Sequence, residues 1–315
     1  MTAADLPAWL AAASGGTLHA AERARWGFRH ETWLVTAEDG RRLVVQRRAG
    51  GPNPTRGGPV IVRGLVRDAG IPVPEPADAG RDEAGRVLVA MPLITGTVAA
   101  ELLDTNAGAT RAGTLCGQVA KRLAAMDPAG VAAIASTWAG LHGPWASADG
   151  LRAATRTWLD AAADGLPGDA LPPDTEARLL ALAERAAAET AQRGVRFAHG
   201  DLAPVNVLVA PGPGGRVAAV LDFDRARLAH PGYDAAWFGW VLAHHHPETS
   251  AAAISGYASA CATAETPSAA AWLQPLVLLE RLAEAAGAAD GGDGAERGDG
   301  AERDRWAARL AAVLA

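Results

Sequence analysis

The chain has 315 residues, a length that fits one large domain or two smaller lobes. Hydrophobic residues make up 49% and charged residues 20%, which is the composition of a folded globular protein and excludes a disordered one. The net charge of −6 argues against general nucleic-acid binding, and no apolar run has the length of a membrane span.

The lysine and cysteine content excludes further classes. Lys121 is the single lysine and is not part of a Gly-Lys-[Ser/Thr] loop, which rules out a P-loop NTPase. Cys116 and Cys261 are too few for a disulfide framework and are expected to be buried apolar residues. Residues 1–16 have no basic stretch of the kind that opens a signal peptide. We therefore expect a cytoplasmic protein with no membrane or nucleic-acid partner.

The first part of the chain is predicted to be rich in β-structure. An Asp-Gly turn between two β-rich runs is typical of a hairpin, and Gly70 is expected to end a helix. The expected elements, in chain order, are helical pieces at 3–13 and 17–24, strands at 32–37 and 41–47, a helix at 60–69 and a strand at 86–92.

From about residue 97 onward the pattern is mostly helical and acids outnumber bases. Strands at 205–210 and 216–222 interrupt it, and the sequence PGPGG between them predicts a hairpin. A tandem GDGAER repeat makes 289–304 a low-complexity segment. The expected helices are 98–104, 110–126, 150–164, 174–193, 233–245, 249–262, 267–288 and 305–314.

The stretch from residue 199 to residue 234 carries the chemistry. Asn206 follows Asp201 by five residues, and Asp222 follows Asn206 by 16 residues. An antiparallel hairpin returns Asp222 to Asn206, so the two side chains can converge on one cation just after the loop that holds Asp201. Phosphoryl transfer from a nucleotide needs this set, because one carboxylate orients the attacking hydroxyl while an amide and a second carboxylate hold Mg²⁺.

The sequence His199-Gly200-Asp201, with Asn206 and the later Leu-Asp-Phe-Asp at 221–224, resembles the aminoglycoside phosphotransferase family of kinase-like small-molecule kinases. Other stretches resemble further parts of that family. They are Gly27–Thr32 (nucleotide loop), 70–74 (the turn after the first-lobe helix), 89–96 (the hinge) and 234–237 (the segment that braces the catalytic loop).

The resemblance implies an α+β, two-lobed protein-kinase-like fold. Its small antiparallel β-sheet N-lobe would be residues 1–92, and its larger, mainly helical C-lobe would be residues 97–315 with a catalytic hairpin at 199–224. It also implies a phosphotransferase that moves the γ-phosphate of ATP or GTP to a small-molecule hydroxyl, with Mg²⁺ as cofactor. Asp201 would be the catalytic residue.

The remaining roles that the resemblance implies are binding roles. Asn206 and Asp222 would be Mg²⁺ ligands, and Asp224 would be a secondary metal contact. Arg47 would bind phosphate on the third family strand. The nucleotide site would also include Gly27, Met91, Pro92, Leu93 and Ile94.

One departure from protein kinases concerns the basic residue on the third family strand, Arg47. They pair a strand lysine with a helix glutamate, whereas here the strand residue is arginine and no acid lies between Asp39 and Asp68. The ion pair is therefore absent, or Asp68 or Glu75 replaces the glutamate. Arginine still offers a bidentate fork to phosphate.

The sequence is compatible with three functions. The favoured acceptor is an antibiotic, either an aminoglycoside or a sugar-bearing nucleoside type, whose phosphorylation gives resistance. A metabolic kinase of the choline, homoserine or sugar type is the first alternative. A nucleotide-binding pseudokinase is the second, and the intact set of Asp201, Asn206 and Asp222 argues against it.

Other chemistry-bearing residues have structural interpretations. His244–His246 are expected to finish a helix rather than bind a metal, because consecutive histidines point in different directions. Trp237 and Trp240 could stack a ligand, but their spacing favours a core position for at least one of them. Arg225 and Arg227 are expected to form surface ion pairs rather than to hold phosphate.

Overall fold

The computed structural model describes residues 6–25, 30–48, 55–56, 58–135, 141, 143–165, 171–212, 214–261, 265–290 and 300–314. The chain divides into two compact units: Met1–Ala99 with Val205–Asp224, and Ala100–Pro204 with Arg225–Ala315. The hairpin near residues 205–222 is expected within the helical lobe, whereas its contacts group it with the β-rich unit.

The described residues form ten strands and ten α-helices. The strands are β1 Leu18–Arg23, β2 Glu31–Ala37, β3 Arg42–Arg47, β4 Ala77–Arg81, β5 Val87–Pro92, β6 Thr97–Val98, β7 Arg196–Ala198, β8 Val207–Val209, β9 Val217–Val220 and β10 Arg227–Ala229. The helices are α1 Ala8–Ser14, α2 Gly58–Asp68, α3 Asn106–Ala124, α4 Pro128–Ala135, α5 Ala148–Gly165, α6 Thr175–Arg193, α7 Tyr233–His245, α8 Ser250–Cys261, α9 Gln274–Asp290 and α10 Gly300–Leu314.

The first unit contains a five-stranded antiparallel sheet in the order β1-β2-β3-β5-β4. The β2–β3 hairpin that the Asp-Gly turn predicts is present, and Gly40 at the turn has φ +83°. The expected helical piece at 17–24 is wrong, because Leu18–Arg23 pairs with β2 as an edge strand. Its residues are mostly exposed and lack a clear two-residue alternation, so pairing with β2 decides its conformation. The other edge strand, β4, was not predicted for the same reason.

Helix α1 packs on one face of this sheet. Leu10 and Ala13 lie in a buried cluster with the alternate β3 residues Leu43 and Val45. Side chains alternate between the two faces of a strand, so residues 43, 45 and 47 face α1 while residues 44, 46 and 48 face away from it. This register decides which of the two consecutive arginines, Arg47 or Arg48, shares the face of α1.

A second, three-stranded sheet in the order β6-β8-β9 belongs to the same unit. Its β8–β9 hairpin confirms the strand pair that the sequence predicts around PGPGG. The backbone N–H of Val220 donates to the carbonyl of Pro72, at 2.8 Å, which ties the hairpin to the turn that follows α2. The hairpin is therefore held on two sides within the first unit.

The second unit is built from helices and from the short β7–β10 pair. Glycines bring α3 and α8 into close contact: Gly113 faces the backbone of Ala253, and Gly256 faces the backbone of Thr110. Within the described part of the chain, no helix is both long and apolar enough to cross a membrane.

The α3–α8 packing leads to the first prediction. Gly113→Ala is expected to lower stability by about 1–3 kcal/mol, because the new Cβ overlaps the carbonyl oxygen of Ala253 and the helices must separate. Gly64→Ala on α2 is the matched control, since its Cβ meets nothing within 4 Å and alanine favours the helix by about 0.5–1 kcal/mol. Urea midpoints should therefore move in opposite directions, and an unchanged midpoint for Gly113→Ala contradicts the close packing.

Candidate functional site

The loop that carries Asp201 follows strand β7 in the second unit. The carboxylate of Asp234, in the first turn of α7, accepts the backbone N–H groups of His199 (2.8 Å) and Gly200 (2.9 Å). His199 is fully buried, and its Nδ1 accepts the N–H of Asp201 at 3.2 Å. The backbone that leads into Asp201 is thus fixed by three hydrogen bonds, and the Asp201 side chain remains partly exposed.

Gly200 is held from the other side by α9. Its φ of +80° is left-handed, and a Cβ there would overlap the carbonyl oxygen of Arg225. The Gly200 carbonyl accepts a hydrogen bond from Nη2 of Arg281 at 2.6 Å. Arg281 is only 3% exposed and lies over the ring of Trp237, 4.7 Å from its centroid. The residue before Asp201 therefore has no room to change conformation.

Two ion pairs connect α9 to the arginines at residues 225 and 227. Arg225 donates to both carboxylate oxygens of Glu284, at 2.8 and 2.5 Å, and Arg227 pairs with Glu280. Burial alone would lower the pKa of each guanidinium, but the acids outweigh it and raise the pKa of both arginines. The expected ion pairs are thus present, although the Arg227–Glu280 pair is buried rather than at the surface.

The carboxylate of Asp234, which braces the loop, is buried. Burial raises the pKa of its carboxyl group above the ordinary value, while His199 and the two backbone N–H groups act in the opposite direction. The resemblance assigned the bracing role to residues 234–237, and the hydrogen bonds of Asp234 have that geometry.

Asn206 and Asp222 come together in the first unit. Val207 lies opposite Val220 in the β8–β9 ladder, and the N–H of Leu221 donates to the carbonyl of Asn206 at 2.8 Å. Asn206 is nearly buried, whereas the side chain of Asp222, one residue beyond Leu221, is exposed. The hairpin register therefore gives the adjacency that the spacing predicts.

Asp222 is also strained. Its φ of +57° makes it the single non-glycine residue with a positive φ among the residues described. Such a conformation costs about 1–3 kcal/mol and persists where the surrounding structure fixes it, often at a functional site. An amide and a carboxylate oxygen are hard donors that suit Mg²⁺, which usually takes one or two protein carboxylates and completes its shell with phosphate and water. The donor set fits this cation.

The third acid of the hairpin, Asp224, lies in a buried cluster of basic side chains. Arg48 forms a hydrogen-bonded ion pair with its Oδ2, and Nε2 of His30 lies 3.6 Å from the same oxygen. Burial alone would raise the pKa of Asp224, but His30 and Arg48 outweigh burial and hold it below the ordinary value. Arg63 of α2 is also buried and interacts electrostatically with Asp224.

Arg47 lies on the opposite face of the sheet from Arg48. It shares the α1 face with Leu43 and Val45, where its guanidinium stacks on Trp9 at 5.0 Å and pairs with Glu31. Arg47 was expected to bind phosphate, whereas it is Arg48 that lies at Asp224. The two-residue alternation of β3 was a usable signal, but the face that α1 covers is not visible in the local sequence.

The acid that pairs with Arg48 is neither of the two expected acids, Asp68 and Glu75. Glu75 pairs with Arg67 at exposed positions. The partner of Arg48 is Asp224, which lies 176 residues further along the chain. A base-to-acid ion pair is therefore present, with its acid on the hairpin rather than on α2 or the turn after it.

Some of the residues expected to form the hinge lie within the sheet. Met91 and Pro92 lie in β5 opposite Val44 and Leu43, and the N–H of Leu93 donates to the carbonyl of Arg42 at 2.9 Å. Ile94 follows and is half-buried. Gly27, also expected at the nucleotide site, lies outside the described residues.

The placement of Trp237 and Trp240 agrees with their expected core position. Trp237 and Trp240 are 7% and 4% exposed and stack on each other at 5.2 Å, so both are interior residues. His244 and His245 are exposed at the end of α7. No group of three or more His, Cys, Asp or Glu side chains with metal-binding geometry occurs in the described ranges.

Comparisons with known proteins identify the family and the fold. Residues 20–273 match the phosphotransferase enzyme family, whose model is named APH. A search of curated proteins finds no match.

Solved structures with a similar fold include three antibiotic phosphotransferases. The GDP complex of aminoglycoside 2'-phosphotransferase-IIIa is 15% identical with a TM-score of 0.63, covering 94% of this chain and 93% of that one. The macrolide 2'-phosphotransferase of Brachybacterium faecium is 21% identical with a TM-score of 0.56, covering 96% of each chain. A thermostable aminoglycoside phosphotransferase with ADP and hygromycin B is 14% identical with a TM-score of 0.55, covering 95% and 94%. The predicted kinase-like fold is thereby confirmed.

Proposed function

The chain belongs to the phosphotransferase enzyme family, and we propose that it transfers the γ-phosphoryl group of ATP or GTP to a hydroxyl group of an antibiotic. The observation that carries this proposal is the hairpin that brings Asn206 beside a strained Asp222, five residues after the braced loop of Asp201. A turn that merely caps strands needs neither the strain at Asp222 nor the fixed loop before it.

Each of the three residues has one role in the proposed reaction. Asp201 orients the acceptor hydroxyl and accepts its proton as the oxygen attacks the γ-phosphorus. The new oxygen–phosphorus bond forms while the bond from the γ-phosphorus to the bridging oxygen breaks, and the nucleoside diphosphate leaves. A Mg²⁺ ion bound by Asn206 and Asp222 would neutralise charge on the phosphates. Arg48 replaces Arg47 as the proposed phosphate-neutralising residue.

The acceptor class rests on the solved relatives. One is a macrolide 2'-phosphotransferase, and an aminoglycoside relative holds hygromycin B beside ADP. Other relatives hold GDP, so both nucleotides remain donors to test. We favour an aminoglycoside or a sugar-bearing nucleoside antibiotic as the acceptor.

Mass spectrometry of a compound panel tests this proposal. Aminoglycosides, macrolides, nucleoside antibiotics, choline, homoserine and simple sugars are incubated with the protein, Mg²⁺ and either ATP or GTP. We expect one antibiotic to gain a single phosphoryl group. We expect the initial rate of product formation to fall strongly with Asp201→Asn or with EDTA. A phosphorylated metabolite instead would reassign the acceptor class, and nucleotide binding with no product would favour a pseudokinase.

A further inference from the structure

We propose that Asp224 is a positioning residue that fixes Arg48 toward the nucleotide phosphates, and that it is not a metal ligand. This inference rests on the proposed phosphotransferase function and deepens it. Its basis is a cluster in the first unit in which Arg48 pairs with the carboxylate of Asp224 and His30 lies beside it. The buried guanidinium of Arg63 also interacts electrostatically with this carboxylate.

The side chains of this cluster are buried, so its charged groups need partners. The side chains of Arg48 and His30 are each 6% exposed and that of Asp224 is 9% exposed. A guanidinium removed from water to this degree needs a charged partner, since an unpaired buried charge is strongly unfavourable. Asp224 supplies that partner, so the orientation of Arg48 depends on this carboxylate.

The charge of the cluster argues against a metal at Asp224. Arg48 pairs with the carboxylate, His30 lies beside it and the buried Arg63 interacts with it electrostatically, so the basic groups outnumber the acid even with His30 neutral. Oδ2 of Asp224 is already occupied by Arg48. A divalent cation would be repelled by these neighbours, whereas Asn206 and Asp222 provide hard oxygen ligands outside the cluster.

Donor groups in the cluster point to an anion instead. Nε of Arg48, Nε of Arg63 and Nδ1 of His30 are buried and have no hydrogen-bond partner in the described part of the chain. Buried donors without partners are costly, and an excess of positive charge with open donors suits a phosphate group. Arginine has five N–H donors, so Arg48 is able to hold Asp224 with one and a phosphate oxygen with another.

The charge on the buried face of α2 differs from that in protein kinases. Their strand lysine is held by a glutamate of the neighbouring helix. Here the buried residues of α2 include Arg63 and no acid. The acid that holds the strand base therefore comes from the hairpin, two residues after the metal-binding position Asp222.

A double-mutant cycle tests whether Asp224 acts through Arg48. Wild type, Arg48→Met, Asp224→Asn and the double variant are compared in kcat and KM with the acceptor found by mass spectrometry. Each single change is expected to lower kcat about tenfold, and the double variant is expected to be no worse than Arg48→Met alone. A double variant with the product of both losses, about a hundredfold, overturns the proposal.

Nucleotide binding tests the metal role without any acceptor. The affinity for ADP is measured by calorimetry with and without Mg²⁺, and the ratio of the two affinities reports on the metal contact. Asp224→Asn is expected to keep the wild-type ratio within about twofold, whereas Asp222→Asn is expected to reduce it. A reduced ratio in Asp224→Asn makes Asp224 a metal ligand and refutes our inference. A wild type without turnover refutes the proposed function and leaves this measurement decisive for Asp224.

Controls separate positioning from a general loss of structure. Asp39→Asn removes one acid of an exposed arginine–aspartate pair in the same unit and is expected to leave kcat and the Mg²⁺ ratio unchanged. If Asp224→Asn does not fold, the double variant, which leaves no unpaired guanidinium at residue 48, replaces it in the binding test.

Discussion

Asp201→Asn is expected to lower kcat for phosphoryl transfer by about 10²–10⁴-fold, because asparagine cannot accept the hydroxyl proton. The affinity for nucleotide should change by less than about threefold, since the proposed role of Asp201 concerns the acceptor. Initial rates with the identified acceptor, combined with calorimetry of ADP binding, measure the two quantities separately.

The structure supplies a matched control for this result. Asp149→Asn makes the same chemical change at a carboxylate that is 96% exposed on α5, and it should leave kcat unchanged. Asp201→Asn is nearly isosteric, so the bracing of the loop by Asp234 and Arg281 should persist. A variant at Asp201 that keeps kcat within tenfold of wild type, or one that loses nucleotide binding equally, would contradict the catalytic role.

The parts of the fold that the sequence predicts are those with local signals. The β2–β3 and β8–β9 hairpins are confirmed because an Asp-Gly turn and a Gly/Pro turn mark them. The edge strands β1 and β4 were missed, since their exposed residues show no alternation and their conformation depends on pairing with β2 and β5. Local sequence does not contain the partner that stabilises an edge strand.

The same distinction applies to the candidate site. Asn206 and Asp222 could be paired from spacing alone, because the register of a tight hairpin is a local property. The pairing of Arg48 with Asp224 spans 176 residues, and that of Arg281 with Gly200 spans 81, so no window of sequence contains either. The two-residue period of β3 allows only one of the consecutive arginines at 47 and 48 to face α1, and the local sequence does not show which face α1 covers.

Gly200→Ala is expected to lower kcat about a hundredfold, because a misplacement of about 1 Å at a catalytic group has that effect. The new Cβ would overlap the carbonyl oxygen of Arg225, and alanine disfavours the φ of +80°. The loop can relieve this overlap only by giving up its hydrogen bonds to Asp234 or Arg281, and Asp201 moves with it.

Gly194→Ala separates this effect from backbone strain. Gly194 has φ +72° and ψ 172°, a region that is essentially restricted to glycine, so alanine should cost about 1–3 kcal/mol there too. Its added Cβ meets only a flexible arginine end at 3.5 Å, and the residue lies before β7, away from the hydrogen bonds of the Asp201 loop. Thermal melts should therefore show a loss of stability in both variants, while steady-state kinetics should show a loss of kcat only for Gly200→Ala. A wild-type kcat in Gly200→Ala would mean that the loop tolerates displacement, and the positioning of Asp201 would then require another explanation.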